Sequence, residues 1–177
     1  ECAMPATLVL TVIGDDRPGL VESLATTVAA HQGNWLESSL AHLAGKFAGI
    51  VRVDVPDDRV AALQAALAAL DGLRVSADKA GSDGETGGSR RLRLSLVGHD
   101  RIGIVREVSQ VLARHAVNVE ELNTHTASAP MSADILFHAT AELTGAATLD
   151  ALALIADLER LSNDLMVDIQ LDESIRR

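Results

Sequence analysis

Two short segments of the chain combine Gly, Asp and Arg directly before an apolar stretch. The first reads Gly14-Asp15-Asp16-Arg17-Pro18-Gly19-Leu20-Val21, and the second reads Gly98-His99-Asp100-Arg101-Ile102-Gly103-Ile104-Val105. The apolar residues that follow each segment have the spacing of a helix, and a helix start carries unpaired N–H groups and a partial positive charge. A turn of this kind can therefore bind a carboxylate, while polar side chains beside it can take an ammonium group.

The same turns also have a purely structural interpretation. Asp16 and Asp100 are suitable N-cap residues, and Gly19 and Gly103 would then merely allow close packing. The residue types alone leave both interpretations open.

The two turns belong to an internal repeat. Residues 8–35 align without a gap on residues 92–119, at a constant offset of 84 (92 − 8), and ten positions are identical, Asn34/Asn118 among them. A stretch rich in Gly and Ser at residues 81–89 separates the copies and has no aliphatic side chain to bury. We therefore predict one domain at residues 5–79, a flexible linker at 80–90, and a homologous domain at 91–173.

Hydrophobic periodicity predicts the same order of elements in both copies. In the first copy we expect strands at residues 8–13, 36–43, 50–55 and 73–77, with helices from Pro18 to near Gly33 and at 60–70. In the second we expect strands at 92–96, 119–127, 135–143 and 167–171, with helices at 105–112 and 154–165. The order βαββαβ, twice, predicts an α+β protein with two ferredoxin-like domains, each a four-stranded antiparallel sheet with two helices on one face.

The composition limits the classes of function. Hydrophobic residues make up 47% of the 177 residues and aromatic residues only 2%, so the cores must be aliphatic. A net charge of −10 disfavours direct binding to nucleic acid or to anionic membranes. No apolar run approaches the roughly 20 residues of a membrane span, and no signal peptide is evident, so we expect a cytoplasmic protein with no membrane partner.

Catalytic, metal and cofactor sites find little support in the residue spacing. The six histidines do not form HExxH or a similar zinc motif, and no GxSxG turn presents a serine nucleophile. His31 and His115 occupy equivalent positions near the end of a helix, where the helix dipole favours a cation. We predict no catalytic residue, no metal and no cofactor.

A strand, the turn at residues 14–21, an apolar helix and Asn34 at the entry to the next strand together resemble the ACT domain. Proteins of that family bind small ligands, most often amino acids, at the interface of paired domains, using this turn and the start of the second strand. By resemblance, the ligand-binding residues of the first domain are Asp15, Asp16, Arg17, Pro18, Gly19 and Asn34. Those of the second domain are His99, Asp100, Arg101, Gly103 and Asn118. Ile102 stands where the family usually has Pro, which makes the second turn less rigid.

Two ACT domains without an attached catalytic domain resemble the family of glycine cleavage system transcriptional repressors. This resemblance implies a non-enzymatic regulator that binds an amino acid and acts through a protein partner such as a transcriptional regulator. The exposed edges of each sheet are expected to pair, either within one chain or in a homodimer. The alternative is a protein–protein interaction module that binds no small ligand.

Overall fold

The structure is a computed structural model that describes residues 4–81 and 89–171, and only the backbone of Ser89 and Leu171. The chain divides into two compact units, which are described separately below. No helix of the described segments is long and apolar enough to cross a bilayer.

The first unit contains one sheet and two helices. Its elements are β1 (Pro5–Asp15), α1 (Leu20–Ala30), β2 (Asn34–Leu43), β3 (Lys46–Pro56), α2 (Val60–Ala68) and β4 (Leu73–Lys79). The sheet order is β2-β3-β1-β4, and all three strand pairs are antiparallel. Ala44 and Gly45 both have positive φ in the two-residue turn between β2 and β3, the backbone that a tight hairpin requires.

The core of the first unit lies between one face of the sheet and the two helices. The alternation in β1 and β3 buries every second residue, which gives the fully buried set Leu8, Leu10, Val12, Val51, Val53 and Val55. The apolar stripes of the helices supply Leu24, Val28, Leu63 and Leu67 to the same cluster. Trp35 of β2 is half-buried and packs against this core.

The second unit repeats the arrangement. Its elements are β5 (Ser89–His99), α3 (Ile104–Arg114), β6 (Asn118–Ser128), β7 (Ile135–Ala146), α4 (Ala151–Glu159) and β8 (Met166–Leu171). The sheet order is β6-β7-β5-β8, again antiparallel throughout. Leu92 and Leu94 of β5 pack with Leu154 and Leu158 of α4 in one cluster of buried residues. Leu96 belongs to a second cluster, with Phe137 of β7.

The predicted α+β class with two ferredoxin-like domains is confirmed, and the element boundaries differ in detail. The strands extend beyond their predicted ends, so that β5 begins at Ser89, inside the predicted linker. Residues 82–88 of the predicted linker lie outside the described residues. Helix α4 ends at Glu159, not near Leu165, because Leu165 leaves the helical stripe and packs against Gly98 of β5.

Candidate functional site

The first turn connects β1 to α1 through a backbone that only Gly adopts readily. Gly19 is the N-cap of α1 with φ 89°, and no side chain accepts a hydrogen bond there. The first helical hydrogen bond of the turn runs from the Ser23 N–H to the Gly19 carbonyl, at 2.9 Å. The N–H groups of residues 20–22 are therefore left without an acceptor from a capping side chain.

The N-cap role proposed for Asp16 and Asp100 is wrong. Both helices begin three residues later than that role requires, with Gly19 and Gly103 as N-caps in the left-handed conformation. The backbone N–H of Asp16 donates to the Gly45 carbonyl at 3.0 Å, and its carboxylate lies 2.6 Å from Nδ1 of His42. This aspartate therefore fixes the turn to the β2–β3 hairpin and leaves the helix start open.

Asp15 is held from the same hairpin. Its Cα partner in the strand pairing is Lys46, and the two side chains form an ion pair on the surface. The hydrogen bond from Lys46 lowers the pKa of Asp15, helped by the charges of Lys46 and Arg74, so the carboxylate is ionised at neutral pH. Both aspartates of the turn are thus held by side chains of the β2–β3 hairpin.

Arg17 packs on the turn between α2 and β4. Its Nη2 donates to the Asp71 carbonyl at 2.8 Å, and the guanidinium lies against Gly72, where a Cβ would come within 2.2 Å of it. Half of its side chain stays exposed. An open depression of about 570 Å³ lies beside it, lined by Arg17, Pro18, Gly19, Leu20, Glu22, Ser23, Thr26 and Leu70.

The second turn has the same backbone with different side-chain partners. Gly103 has φ 88° and the N–H of Asp100 donates to the Ile135 carbonyl at 2.9 Å, as Gly19 and Asp16 do in the first unit. His99, however, lies between two aspartates: its Nδ1 is 2.8 Å from Asp164 and its Nε2 is 3.8 Å from Asp134. Arg101 pairs with Glu107, which lies in the first turn of α3.

The structure brings together the predicted residues of each turn and separates them from the predicted asparagine of the same unit. Asn34 and Thr7 share the Cα partner Asp54, so Asn34 lies level with the beginning of β1. Asp15 lies eight residues further along β1, roughly 26 Å away at about 3.3 Å per residue. Asn118 is separated from the second turn in the same way, since it pairs with Thr144 near the far end of β5.

Several residues beside the turns were missed in the sequence. His42, Lys46 and Asp71 surround the first turn, and Asp134 and Asp164 surround the second. They are distant in sequence from the turns, and the strand register brings them close. A cross-strand match of Asp15 with Lys46 was the one available signal. No three His, Cys, Asp or Glu side chains converge as metal ligands in the segments described.

The fold and the turns together define a class: two α+β domains, each with an uncapped helix start next to charged side chains. Residues 6–74 match the family model of the ACT domain. The first unit is therefore similar to an ACT domain over nearly its whole length, and the second unit has the same fold as the first.

Solved structures agree with this assignment over both units. An unknown protein from Galdieria sulphuraria is 27% identical with a TM-score of 0.81, and the match covers 96% of this chain and 99% of that one. A structure titled "putative glycine cleavage system transcriptional repressor" is 16% identical with a TM-score of 0.70, covering 96% and 98% of the two chains, and this likeness shows the fold. Among curated proteins, none matches the sequence significantly.

Proposed function

We propose that the protein is a non-enzymatic regulator that binds an amino acid between the turn of one ACT domain and the start of the edge strand of another. The observation that carries this proposal is the uncapped start of α1 beside the half-exposed guanidinium of Arg17. The amides and the guanidinium offer a carboxylate both hydrogen bonds and positive charge.

The ammonium group of the ligand needs a different set of contacts. Asn34 lies at the start of β2 with an exposed side chain, and the carboxylate-bearing Asp54 lies directly across from it in β3. An amide oxygen and a nearby negative charge suit an ammonium group. Because these residues lie at the far end of the sheet from the turn of their own unit, a second domain must supply them.

Antiparallel pairing of two edge strands achieves this. β2 and β6 are edge strands, and every residue of β6 is exposed in its own unit. When two such edges pair antiparallel, the start of one strand comes level with the end of the other, where the partner's turn lies. Ligand binding would then stabilise the paired state, and pairing is the event through which binding acts on a protein partner.

The process regulated is proposed from fold and charge together. The likeness to the repressor-titled structure supports control of transcription, and the net charge of −10 supports action through a DNA-binding partner in the cytoplasm over direct contact with DNA. A second candidate, docking on a partner without any small ligand, is favoured by the ion pairs that already engage Asp15 and Asp16.

A titration with each standard amino acid in turn tests the proposal, read out by Trp35 emission and by the midpoint of thermal unfolding. We expect one or a few amino acids to raise the midpoint, and Arg17→Ala and Asn34→Ala to abolish that rise. Arg59→Ala, which removes an exposed arginine from the same unit at the turn before α2, is the matched control. A flat response to every amino acid would favour the docking module.

A further inference from the structure

Three positions beside the proposed site carry a carboxylate in the second unit and none in the first. The pairs, first unit first, are Ser23/Glu107, Leu36/Glu120 and Gly72/Asp164. The first two pairs follow from the constant offset of 84. The third follows from packing, since Leu73 packs against Gly14 in the first unit as Leu165 packs against Gly98 in the second.

Asp164 binds the backbone of the second turn at His99, ahead of the start of α3. Its Oδ2 accepts a hydrogen bond from the backbone N–H of His99 at 2.7 Å and lies 2.8 Å from Nδ1 of that residue. The Ser162 hydroxyl donates to its other oxygen. The His99 amide lowers the pKa of Asp164, so the group is an anion at neutral pH.

Glu107 pairs with the cationic residue of the second turn, Arg101. It forms an ion pair with the Arg101 guanidinium, and this contact lowers the pKa of Glu107 and raises that of Arg101. Ser23, the equivalent residue of α1, brings no charge to Arg17. A second anion approaching Arg101 would therefore meet a guanidinium that is already closely paired with a carboxylate. Arg17 lies 3.7 Å from the Asp71 carboxylate, which is itself almost fully exposed, and half of the Arg17 side chain stays exposed.

Glu120 engages the asparagine of the second unit. The Asn118 amide donates to Oε1 of Glu120 at 2.7 Å, and the Thr144 hydroxyl donates to the same oxygen at 2.8 Å. Leu36, the equivalent residue of β2, cannot accept a hydrogen bond. Within the part of the chain that the structure describes, the side chain of Asn34 makes no hydrogen bond.

We infer that the second unit is closed to ligand by its own carboxylates, so that each chain offers only the first turn and Asn34. This inference rests on the proposed function. Since the first turn and Asn34 lie at opposite ends of one sheet, the two open halves can meet only when the first units of two chains pair through β2. The expected state is a homodimer with one amino acid bound per chain.

Binding stoichiometry tests this directly. Isothermal titration with each standard amino acid should give one site per chain for the wild-type protein. Ser23→Glu should abolish binding by neutralising Arg17, whereas Ser23→Ala should retain it. The triple variant Glu107→Ser, Glu120→Leu, Asp164→Gly should raise the stoichiometry towards two. Two sites per chain in the wild type would overturn the inference and leave the proposed function intact, whereas no binding at all would remove both.

Complementation tests the pairing. Arg17→Ala and Asn34→Ala should each abolish binding alone. When the two variants are co-expressed with different tags and the mixed dimer is purified, one of its two sites combines an intact turn with an intact Asn34. We expect one amino acid per mixed dimer. A mixed dimer that binds none, while the wild type binds, would contradict pairing of two first units.

The contact between Asp164 and the His99 amide can be measured without any ligand. By NMR, the His99 amide should exchange with solvent several-fold more slowly than the equivalent Asp15 amide, and Asp164→Ala should remove that difference. Unchanged exchange of His99 in the variant would show that Asp164 does not occupy the turn, and would overturn the inference even where binding is one per chain.

Discussion

At the scale of single residues, the start of α1 depends on the conformation of Gly19. Its φ of 89° lies in the left-handed region, and no atom lies within 4 Å of the position that a Cβ would take. The residue is therefore required for its backbone freedom and for no packing reason. This backbone places the helix start after the Asp-Arg pair and leaves the amides of residues 20–22 uncapped.

Gly19→Ala should destabilise the first unit by about 1–2 kcal/mol, the cost of a Cβ in the left-handed region. Gly81→Ala is the matched control, because Gly81 has equally open surroundings and its φ lies outside the left-handed region. Urea unfolding followed by Trp35 emission measures both. Equal stabilities for the two variants would mean that the turn relaxes to another conformation.

Asp164→Asn should reduce the pH dependence of stability in the second unit. Because the folded-state pKa of Asp164 is depressed, its contact stabilises the fold above the ordinary value of 3.8 and is lost as the pH falls through the folded-state pKa. The stability difference between wild type and variant should therefore be present at pH 7 and shrink below about pH 4. Urea unfolding across this range measures it, and a difference that grows on acidification would contradict the assigned contact.

Asp168→Asn serves as the control for that measurement. It removes the same charge from an exposed residue of β8 in the same unit. Its stability curve should run parallel to that of the wild type over the same pH range.

At the scale of elements, alternation and helical spacing were sufficient to predict the order of the strands and helices. Val51, Val53 and Val55 are buried as expected, because a strand that covers a core on one face must alternate. The end of α4 was not predictable in this way. Leu161 and Leu165 follow Leu154 and Leu158 at intervals of three and four residues, the spacing of a helix. Such a spacing does not distinguish a helical turn from residues that pack against the neighbouring strand.

In each unit, the segment just before the last strand approaches the first strand closely, at Gly14 of β1 and at Gly98 of β5. These two glycines provide a matched pair of substitutions. A Cβ on Gly14 would lie 2.1 Å from the Gly72 carbonyl oxygen, whereas a Cβ on Gly98 would lie 2.6 Å from the end of the Leu165 side chain. Gly14→Ala should cost about 1–3 kcal/mol or more, and Gly98→Ala less, because a side chain can rotate and a backbone carbonyl cannot. Urea unfolding of each unit should show this order, and a larger loss for Gly98→Ala would contradict it.

At the scale of the whole molecule, the duplication and the two turns were predictable, but the contacts that distinguish the turns were not. Ten identical positions indicate two equivalent domains. The carboxylates that make the second turn different from the first, Asp164 above all, reach it through the strand register and the turn after α4. Neither the register nor that turn can be read from local sequence spacing. The pairing of edge strands likewise depends on contacts that local sequence spacing does not predict.

Hydrogen exchange of the sheet edges tests the pairing. β2, β4, β6 and β8 are all edge strands in their own units, and an unpaired edge leaves alternate N–H groups open to solvent. If pairing occurs through β2, this strand should exchange as slowly as the central strands, while β4 and β8 exchange faster. Exchange of β2 at the rate of β4 would contradict pairing through that edge.

The most direct test of the account is the backbone NMR spectrum of the protein during titration with each standard amino acid. For an amino acid that binds, we predict that the amide signals of residues 19–22 and of the start of β2 at Asn34 shift and saturate together, while those of residues 99–106 stay in place. Saturating shifts at the second turn alone, or no shift at the start of α1 for any amino acid, would contradict the central claim that the open helix start of the first unit holds the ligand.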